Sequence, residues 1–242
     1  MKMRFSRYVG GFRLDRALLG ILILLGIFVA ARAWLAEHPQ HDPWAPLDLG
    51  NPPGWATRHK LAALRNDPGE CRMVLERSGV VFDVLPPAGE GECRREDRTV
   101  LSAAPLSPDA PPVTCPVAAG FELWLRQGVQ PAAETVFGQK VARIEHFGAY
   151  GCRRMYGRAN GRWSEHASGN ALDIAAFVLA DGRRISVLRG WNGTGGDAEF
   201  LHQIRDHACG IFGTVLSPDY NAAHADHLHL DQARRGAGGF CR

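Results

Sequence analysis

Histidines are concentrated near the end of this 242-residue chain, where three of the ten lie close together at His224, His227 and His229. A fourth, His166, is followed by Asp173 in the same short segment. Zinc in a hydrolytic site takes three protein ligands from His and carboxylate and keeps a fourth position for water. His166, Asp173 and one of the later histidines supply such a set, so the sequence predicts a metal-dependent hydrolytic site.

The expected elements favour a shared location for these residues. His227 and His229 alternate on an expected strand, which places both imidazoles on one face. Asp226 points to the other face of a regular strand, although it can reach the site where the strand is only beginning. Asp173 lies in the apolar run ALDIAAFV, and a buried carboxylate needs a partner or a metal because burying an unpaired charge is costly. A lone histidine such as His166 is more often an ordinary hydrogen-bonded residue, but the set together favours a metal site.

Two motifs carry a family resemblance. The pattern S-x-H-x-x-G-x-A-x-D at 164–173, followed by D-H-L-H at 226–229, resembles the signature of the LAS-type zinc peptidases. The surrounding sequence, including Y-G-C-R at 150–153 and residues 216–231, resembles the bacterial extensin-like C-terminal domain family, a relative of the D-Ala-D-Ala metallopeptidases. The resemblance extends from about Cys115 to Cys241, and only the cysteine placement supports it before that.

The resemblance implies a zinc site. It makes His166, Asp173 and His229 the ligands of Zn²⁺. It also places Asp226 at the position of the acidic general base, where several relatives have the longer Glu. His227 takes the place of the first histidine of the His-x-His pair.

Three further residues are expected beside the ligands. Arg153 falls where the family has an arginine oriented towards the substrate carboxylate or the developing oxyanion. Ser164 is expected to bond the ligand carboxylate and fix its orientation. His224 is expected to lie next to the ligands without binding the metal.

The implied function is a zinc-dependent hydrolase that acts on D-Ala-containing bonds in peptidoglycan stem peptides. In such a site the zinc lowers the pKa of bound water to about 7 and polarises the scissile carbonyl, while the acidic base moves the proton. The alternative is a non-catalytic peptidoglycan-binding or scaffolding module with a structural zinc, because a fold does not establish an activity.

Two other chemistries have less support. His227-x-His229-x-Asp231 is similar to the opening of the metallo-β-lactamase motif, but Gln232 stands where that motif has His. A serine nucleophile is disfavoured because Ser168 lacks a G-x-S-x-G setting. The sequence therefore favours the peptidase-like metal site.

The charge of the chain lies at its beginning. The formal net charge is +3, and residues 1–16 alone carry +4 from five Lys and Arg and one Asp, which leaves −1 for the remainder. So small and localised a charge disfavours a nucleic-acid partner, and a 45% hydrophobic content excludes a mainly disordered chain.

Residues 17–36 are predicted to form a transmembrane helix, since about 20 mostly apolar residues suffice to cross a bilayer. The cationic residues 1–16 would then lie in the cytoplasm, and the rest of the chain would be exported to the periplasm of a bacterium. The alternative is a cleaved signal peptide, although Ala31-Arg32-Ala33 is a poor cleavage site because of its central arginine.

The six cysteines all follow this segment, which predicts three disulfides in an oxidising compartment. Fifteen pairings are possible. The expected pairs are Cys71–Cys93, because both lie in one small segment, and then Cys115–Cys241 and Cys152–Cys209.

The elements that position the site belong to an α+β fold, an antiparallel sheet flanked by helices as in the D-Ala-D-Ala metallopeptidases. The expected organisation is a Pro-rich extended linker at 37–57, a small α+β accessory lobe at 58–114 and the metallopeptidase-like domain at 115–242. Periodicity predicts helices at 70–78, 117–127 and 197–209 and strands at 80–85, 99–102, 140–147, 171–179, 184–188 and 227–231.

Overall fold

The fold of the chain is α+β, as the sequence predicted, in a computed structural model that describes residues 13–235 and 239–242. The helices are α1 (Arg13–Glu37), α2 (Thr57–Ala63), α3 (Pro68–Arg77), α4 (Cys115–Trp124), α5 (Gln130–Phe137), α6 (Val187–Gly190) and α7 (Gly196–Cys209). The strands are β1 (Asp83–Val84), β2 (Thr99–Val100), β3 (Leu106–Ser107), β4 (Val141–Gly148), β5 (Ala171–Leu179), β6 (Arg184–Ser186), β7 (Thr214–Leu216), β8 (Leu228–Asp231) and β9 (Phe240–Cys241).

Helix α1 contains the predicted membrane segment. Within residues 15–37, an 18-residue stretch has a mean hydropathy of 2.4, and no residue of that stretch is buried against the protein. The helix is therefore long and apolar enough to cross a membrane, a property shared by a single span and a signal sequence. Most of the predicted cytoplasmic flank, residues 1–12, lies outside the described residues.

The large sheet has the strand order β3-β4-β5-β8-β7-β9, with β6 also paired to β5. The expectation of an antiparallel sheet is only partly right, because β3 runs parallel to β4 and β9 runs parallel to β7. Both parallel strands are two-residue edge strands, too short to show a pattern in the sequence. The central strands β4, β5, β8 and β7 are antiparallel as predicted.

The central helices follow the predicted periodicity. Phe121 and Trp124 of α4 and Phe200 of α7 are buried, and α4 continues through a π-helical turn at Leu125–Val129 into α5. The Trp124 indole donates a hydrogen bond of 2.8 Å to the carbonyl of Ile204, which ties α4 to α7. The same indole and the ring of Phe177 of β5 make an edge-to-face contact with their centroids 6.0 Å apart, so both helices are fixed against the sheet.

The segment predicted as an extended linker packs on the domain. Leu47 and Leu49 belong to the hydrophobic core. The ammonium of Lys60, a residue of α2, donates a 2.7 Å hydrogen bond to the carbonyl of Pro39. The high proline content correctly indicated irregular backbone, but the buried leucines hold that backbone on the domain surface.

Residues 58–114 do not form a separate lobe. The expected pairing of two strands is present as β1 with β2, but one continuous core includes Leu61, Val74 and Val113 from this segment together with the central helices. The boundary expected at residue 114 therefore crosses the middle of a packed unit.

All six cysteines form disulfides, but each of the three expected pairings is wrong. The structure pairs Cys71 with Cys115, Cys93 with Cys152, and Cys209 with Cys241. The reason lies in packing between elements. Helix α3 lies against α4, which brings Cys71 close to Cys115. Strand β9 pairs with β7, which follows α7 in the chain, and this brings Cys241 close to Cys209 at the end of α7. The first two bonds join the residues before 114 to those after it.

Non-reducing peptide mapping of the oxidised full-length chain is expected to recover Cys71 linked to Cys115. Replacing both with Ala should lower the free energy of unfolding by about 2–4 kcal/mol, because the cross-link between them spans 44 residues. Urea unfolding measures this loss, with Met73→Ala, an exposed change on the same helix, as the control. A Cys71 peptide linked to another cysteine would contradict the pairing.

Candidate metal centre

Two paired strands and one turn bring the predicted ligands together. Asp173 of β5 lies directly opposite His229 of β8 in the antiparallel register. His166 lies in the 3₁₀ turn Glu165–Ser168, which ends at Gly169 with a left-handed φ of 70° just before β5 begins. All three ligand side chains are buried.

The ligand atoms converge on one point. His166 Nε2 lies 3.1 Å from Asp173 Oδ2 and 3.1 Å from His229 Nδ1. His229 Nδ1 lies 2.9 Å from Asp173 Oδ1. One ligand atom from each residue lies within 4.8 Å of the others. The sequence-based expectation that these three residues share a site therefore agrees with the geometry.

These atoms fit a zinc ion. Two imidazole nitrogens and a carboxylate are one of the donor sets that catalytic zinc sites use. Zinc–nitrogen bonds of about 2.0–2.1 Å in a tetrahedron place the ligand atoms about 3.3 Å apart, close to the spacing in this cluster. All three residues line a cavity, which would leave room for a water molecule or a substrate atom beside the ion.

The outward-facing nitrogens of both histidines have fixed acceptors. His166 Nδ1 lies 3.2 Å from the carbonyl oxygen of Ala149, and His229 Nε2 lies 3.0 Å from Asp231 Oδ2. Such partners orient a metal-binding histidine and select its tautomer. The other oxygen of Asp231 accepts a 2.8 Å hydrogen bond from the Ala233 N–H, so this buried carboxylate is satisfied on both sides.

Sequence reasoning missed this role of Asp231, which it considered only in the disfavoured metallo-β-lactamase motif. The signal that could have revealed it is the spacing of His229 and Asp231, which places both side chains on one face of β8.

Ser164 was expected to bond the ligand carboxylate, but its hydrogen bond is to another group. Its hydroxyl accepts a 3.3 Å hydrogen bond from the backbone N–H of His166 and so caps the turn. Ser164 therefore positions the ligand His166, because a serine just before a short helical turn satisfies a free N–H there.

Asp226 and His227 form a pair at the edge of the centre. His227 Nδ1 donates to Asp226 Oδ1 at 2.8 Å, and His227 Nε2 lies 3.7 Å from Asp173 Oδ1. The Asp226 side chain is 49% exposed and does not line the cavity, whereas His227 does. The His227 imidazole therefore lies between the Asp226 carboxylate, which orients it, and the candidate ligand Asp173.

His224 lies beside the ligands as expected. Its ring centroid is 5.2 Å from that of His227 and 5.9 Å from that of His229, and its Nδ1 donates to Asn221 Oδ1 at 2.8 Å. Burial, followed by the positive charges of the neighbouring histidines, lowers the pKa of His224 to about 4. His224 is therefore a neutral hydrogen-bonding residue near neutral pH.

Electrostatics hold the ligand carboxylate ionised. Burial opposes ionisation, but hydrogen bonds from His166 and His229, and their charges, hold the pKa of Asp173 far below its usual range. Burial likewise opposes a charge on His229, but its hydrogen bonds with Asp173 and Asp231 raise its pKa to about 9. The centre is thus organised around a buried negative charge that attracts cations.

The cavity above the ligands has a volume of ≈ 250 Å³. Its walls contain three arginines, Arg153, Arg162 and Arg235, together with aromatic side chains such as Tyr156 and Trp163. Among the described residues, two wall carboxylates lie outside the ligand set: Glu165, which is paired with Arg65 at 3.2 Å, and Asp231, which is hydrogen-bonded to His229 at 3.0 Å. Both carboxylates are thus already paired, and the three arginines of the wall suit an anionic substrate.

A protein-family model described as "Extensin-like protein C-terminus" matches residues 69–242. The matched region includes the whole candidate centre and all six cysteines. Comparison with curated proteins gives no match, and comparison with solved structures gives none either.

The low pKa of His224 leads to a pH prediction. The folded value lies below the unfolded value of about 6.5, so the neutral ring favours the fold above pH 6.5, and this contribution is lost as the pH falls from 6.5 through 4. Titration of the ring by NMR should give a midpoint near 4 in the folded protein, compared with about 6.5 in concentrated urea. His224→Gln should flatten the decline in unfolding free energy over that interval, and a folded midpoint near 6.5 would contradict the prediction.

Proposed function

This chain belongs to the extensin-like protein C-terminus family, and we propose that it is a zinc-dependent hydrolase of D-Ala-containing bonds in peptidoglycan stem peptides, related in fold and site to the LAS-type peptidases. The convergence of His166, Asp173 and His229 at the floor of a cationic cavity is the observation that carries the proposal.

His166, Asp173 and His229 would hold the zinc. When bound there, zinc supplies a Lewis acid that polarises a carbonyl and lowers the pKa of a water ligand. Asp231 and the carbonyl of Ala149 keep the two imidazoles oriented towards the ion by accepting hydrogen bonds from their other nitrogens.

The Asp226–His227 pair would move the proton. Asp226 accepts a hydrogen bond from His227 Nδ1–H, so His227 Nε2 would accept a proton in the cavity and later donate it to the leaving amine. This assignment differs from the family-based expectation that Asp226 itself is the base, because the imidazole, rather than the carboxylate, lines the cavity.

The arginines would bind and orient the substrate. Stem peptides carry carboxylates, and guanidinium groups bind carboxylates through two parallel hydrogen bonds. Arg153 is exposed at the cavity wall, and its charge would balance negative charge on the substrate or the developing oxyanion. The cationic wall thus supports a peptide substrate with free carboxylates.

The compartment agrees with this substrate. An α1 that stays in the membrane would place the domain on the exported side, and three disulfides are typical of oxidising compartments. In a bacterium that location is the periplasm, where peptidoglycan is the neighbouring polymer.

The full-length oxidised chain is expected to bind one zinc ion. Asp231→Asn should weaken zinc binding about 10–100-fold, because it removes the anionic acceptor from His229 Nε2. Competition with a chelating dye measures the affinity, and Asp109→Asn, a change at an exposed residue outside the ligand set and the cavity, is the control. If the wild-type chain does not bind zinc in a one-to-one ratio, the proposal of a zinc-dependent hydrolase is refuted.

The rate at which variants digest purified peptidoglycan distinguishes the role of His227 from that of Asp226. His227→Gln should keep zinc and lose about 10²–10⁴-fold in rate, and Asp226→Asn should lose less because the imidazole remains. His202→Gln, a change on α7 outside the cavity, should leave the rate unchanged. Bound zinc with no digestion by the wild type would favour the non-catalytic peptidoglycan-binding module.

A further inference from the structure

We propose that a second cavity binds the phosphate headgroup of an anionic membrane lipid. This cavity has a volume of ≈ 520 Å³ and lies between α2 and the backbone around Ala233 and Gly239. Of its described wall residues, only Arg235 also lines the cavity above the candidate metal centre. Its wall on the α2 side precedes residue 69, where the family match begins.

The cavity is strongly cationic. Three arginines, Arg58, Arg234 and Arg235, line it together with His59, and none of the described lining residues is acidic. The chain after residue 16 has a slightly negative formal charge, so this concentration of positive charge is local. Arginine pairs with phosphate oxygens through two parallel hydrogen bonds, which suits a phosphodiester.

A stack of aromatic rings joins this cavity to the end of α1. The Trp34 ring lies 5.3 Å from that of His41, and His41 lies 5.8 Å from Trp55, which is 64% exposed and lines the cavity. Gly54 permits this contact, because a Cβ there would lie 2.4 Å from the Gln40 carbonyl oxygen.

The stack fixes how far the cavity lies from the bilayer. Trp34 lies near the end of the apolar helix α1, where tryptophan prefers the interface between hydrocarbon and headgroups. Two ring-to-ring steps, of 5.3 Å and 5.8 Å, separate it from Trp55. One headgroup layer is about 5–8 Å deep, so Trp55 lies within this layer or just outside it. The cavity therefore lies at the membrane surface whenever α1 is in the membrane.

A lipid is the occupant that these observations favour. A free anion would not account for the tryptophan stack leading to α1, whereas a headgroup reaches both the cationic wall and the interfacial rings. Arg235 also lines the cavity above the candidate metal centre. A lipid headgroup bound in the second cavity would therefore keep the cavity of the candidate metal centre close to the membrane.

The test uses the full-length protein in neutral detergent micelles. Dihexanoyl phosphatidylglycerol, dihexanoyl phosphatidylcholine and inorganic phosphate are each titrated, and binding is followed by calorimetry and tryptophan fluorescence. We expect tight binding for phosphatidylglycerol alone, with Arg234→Gln weakening it about fivefold and Trp55→Phe removing the fluorescence change. Arg189→Gln, a change at an exposed residue outside both cavities, should leave binding unchanged.

Other results would overturn the proposal. Equal affinity for the two lipids, or a preference for phosphatidylglycerol that remains in the Arg234→Gln variant, would show that the headgroup does not bind in this cavity. Equal affinity for inorganic phosphate would identify a soluble anion as the ligand. A soluble peptidoglycan fragment that binds through Trp55 while phosphatidylglycerol does not would assign the cavity to a carbohydrate. None of these readouts depends on hydrolysis.

Discussion

The pairing of β5 with β8 is the constraint on which the candidate centre depends. It places Asp173 opposite His229, and opposite residues on one face of an antiparallel pair have Cβ atoms only about 4.5–5.5 Å apart. His166 joins them from the turn just before β5. A slip of one residue would turn the side chains of one strand to the other face, so the register of these two strands determines the ligand geometry.

The sequence predicted that His166, Asp173 and His229 lie together, because the patterns that indicate this are local. Period-two alternation and an aspartate in an apolar run identify residues that share a buried face. Alternation could not place Asp226 and His227 in the same way, since β8 begins at Leu228 and the residues before it do not follow the alternation. As a result the imidazole of His227 enters the cavity and Asp226 stays outside it. The roles of Ser164 and Asp231 depend on hydrogen bonds, which spacing alone does not specify.

Long-range packing could not be predicted in the same way. Nothing close to Cys71 in the sequence distinguishes Cys115 from the other possible partners, since the choice follows from how two helices pack. Composition also predicted an extended linker, because prolines are visible in a sequence whereas the partners of Leu47 and Leu49 are not. Both errors have one origin: the segments before and after residue 114 share a single core.

Because of that shared core, the folded unit begins earlier in the chain than the family match does. The family match begins at residue 69, yet Leu61 is fully buried and Arg65 pairs with Glu165, the neighbour of a ligand histidine. A recombinant fragment cut at the family boundary would expose apolar surface on α4 and leave Glu165 without its arginine. Recombinant fragments and truncated variants of this chain should therefore begin before the buried Leu47 rather than at residue 69.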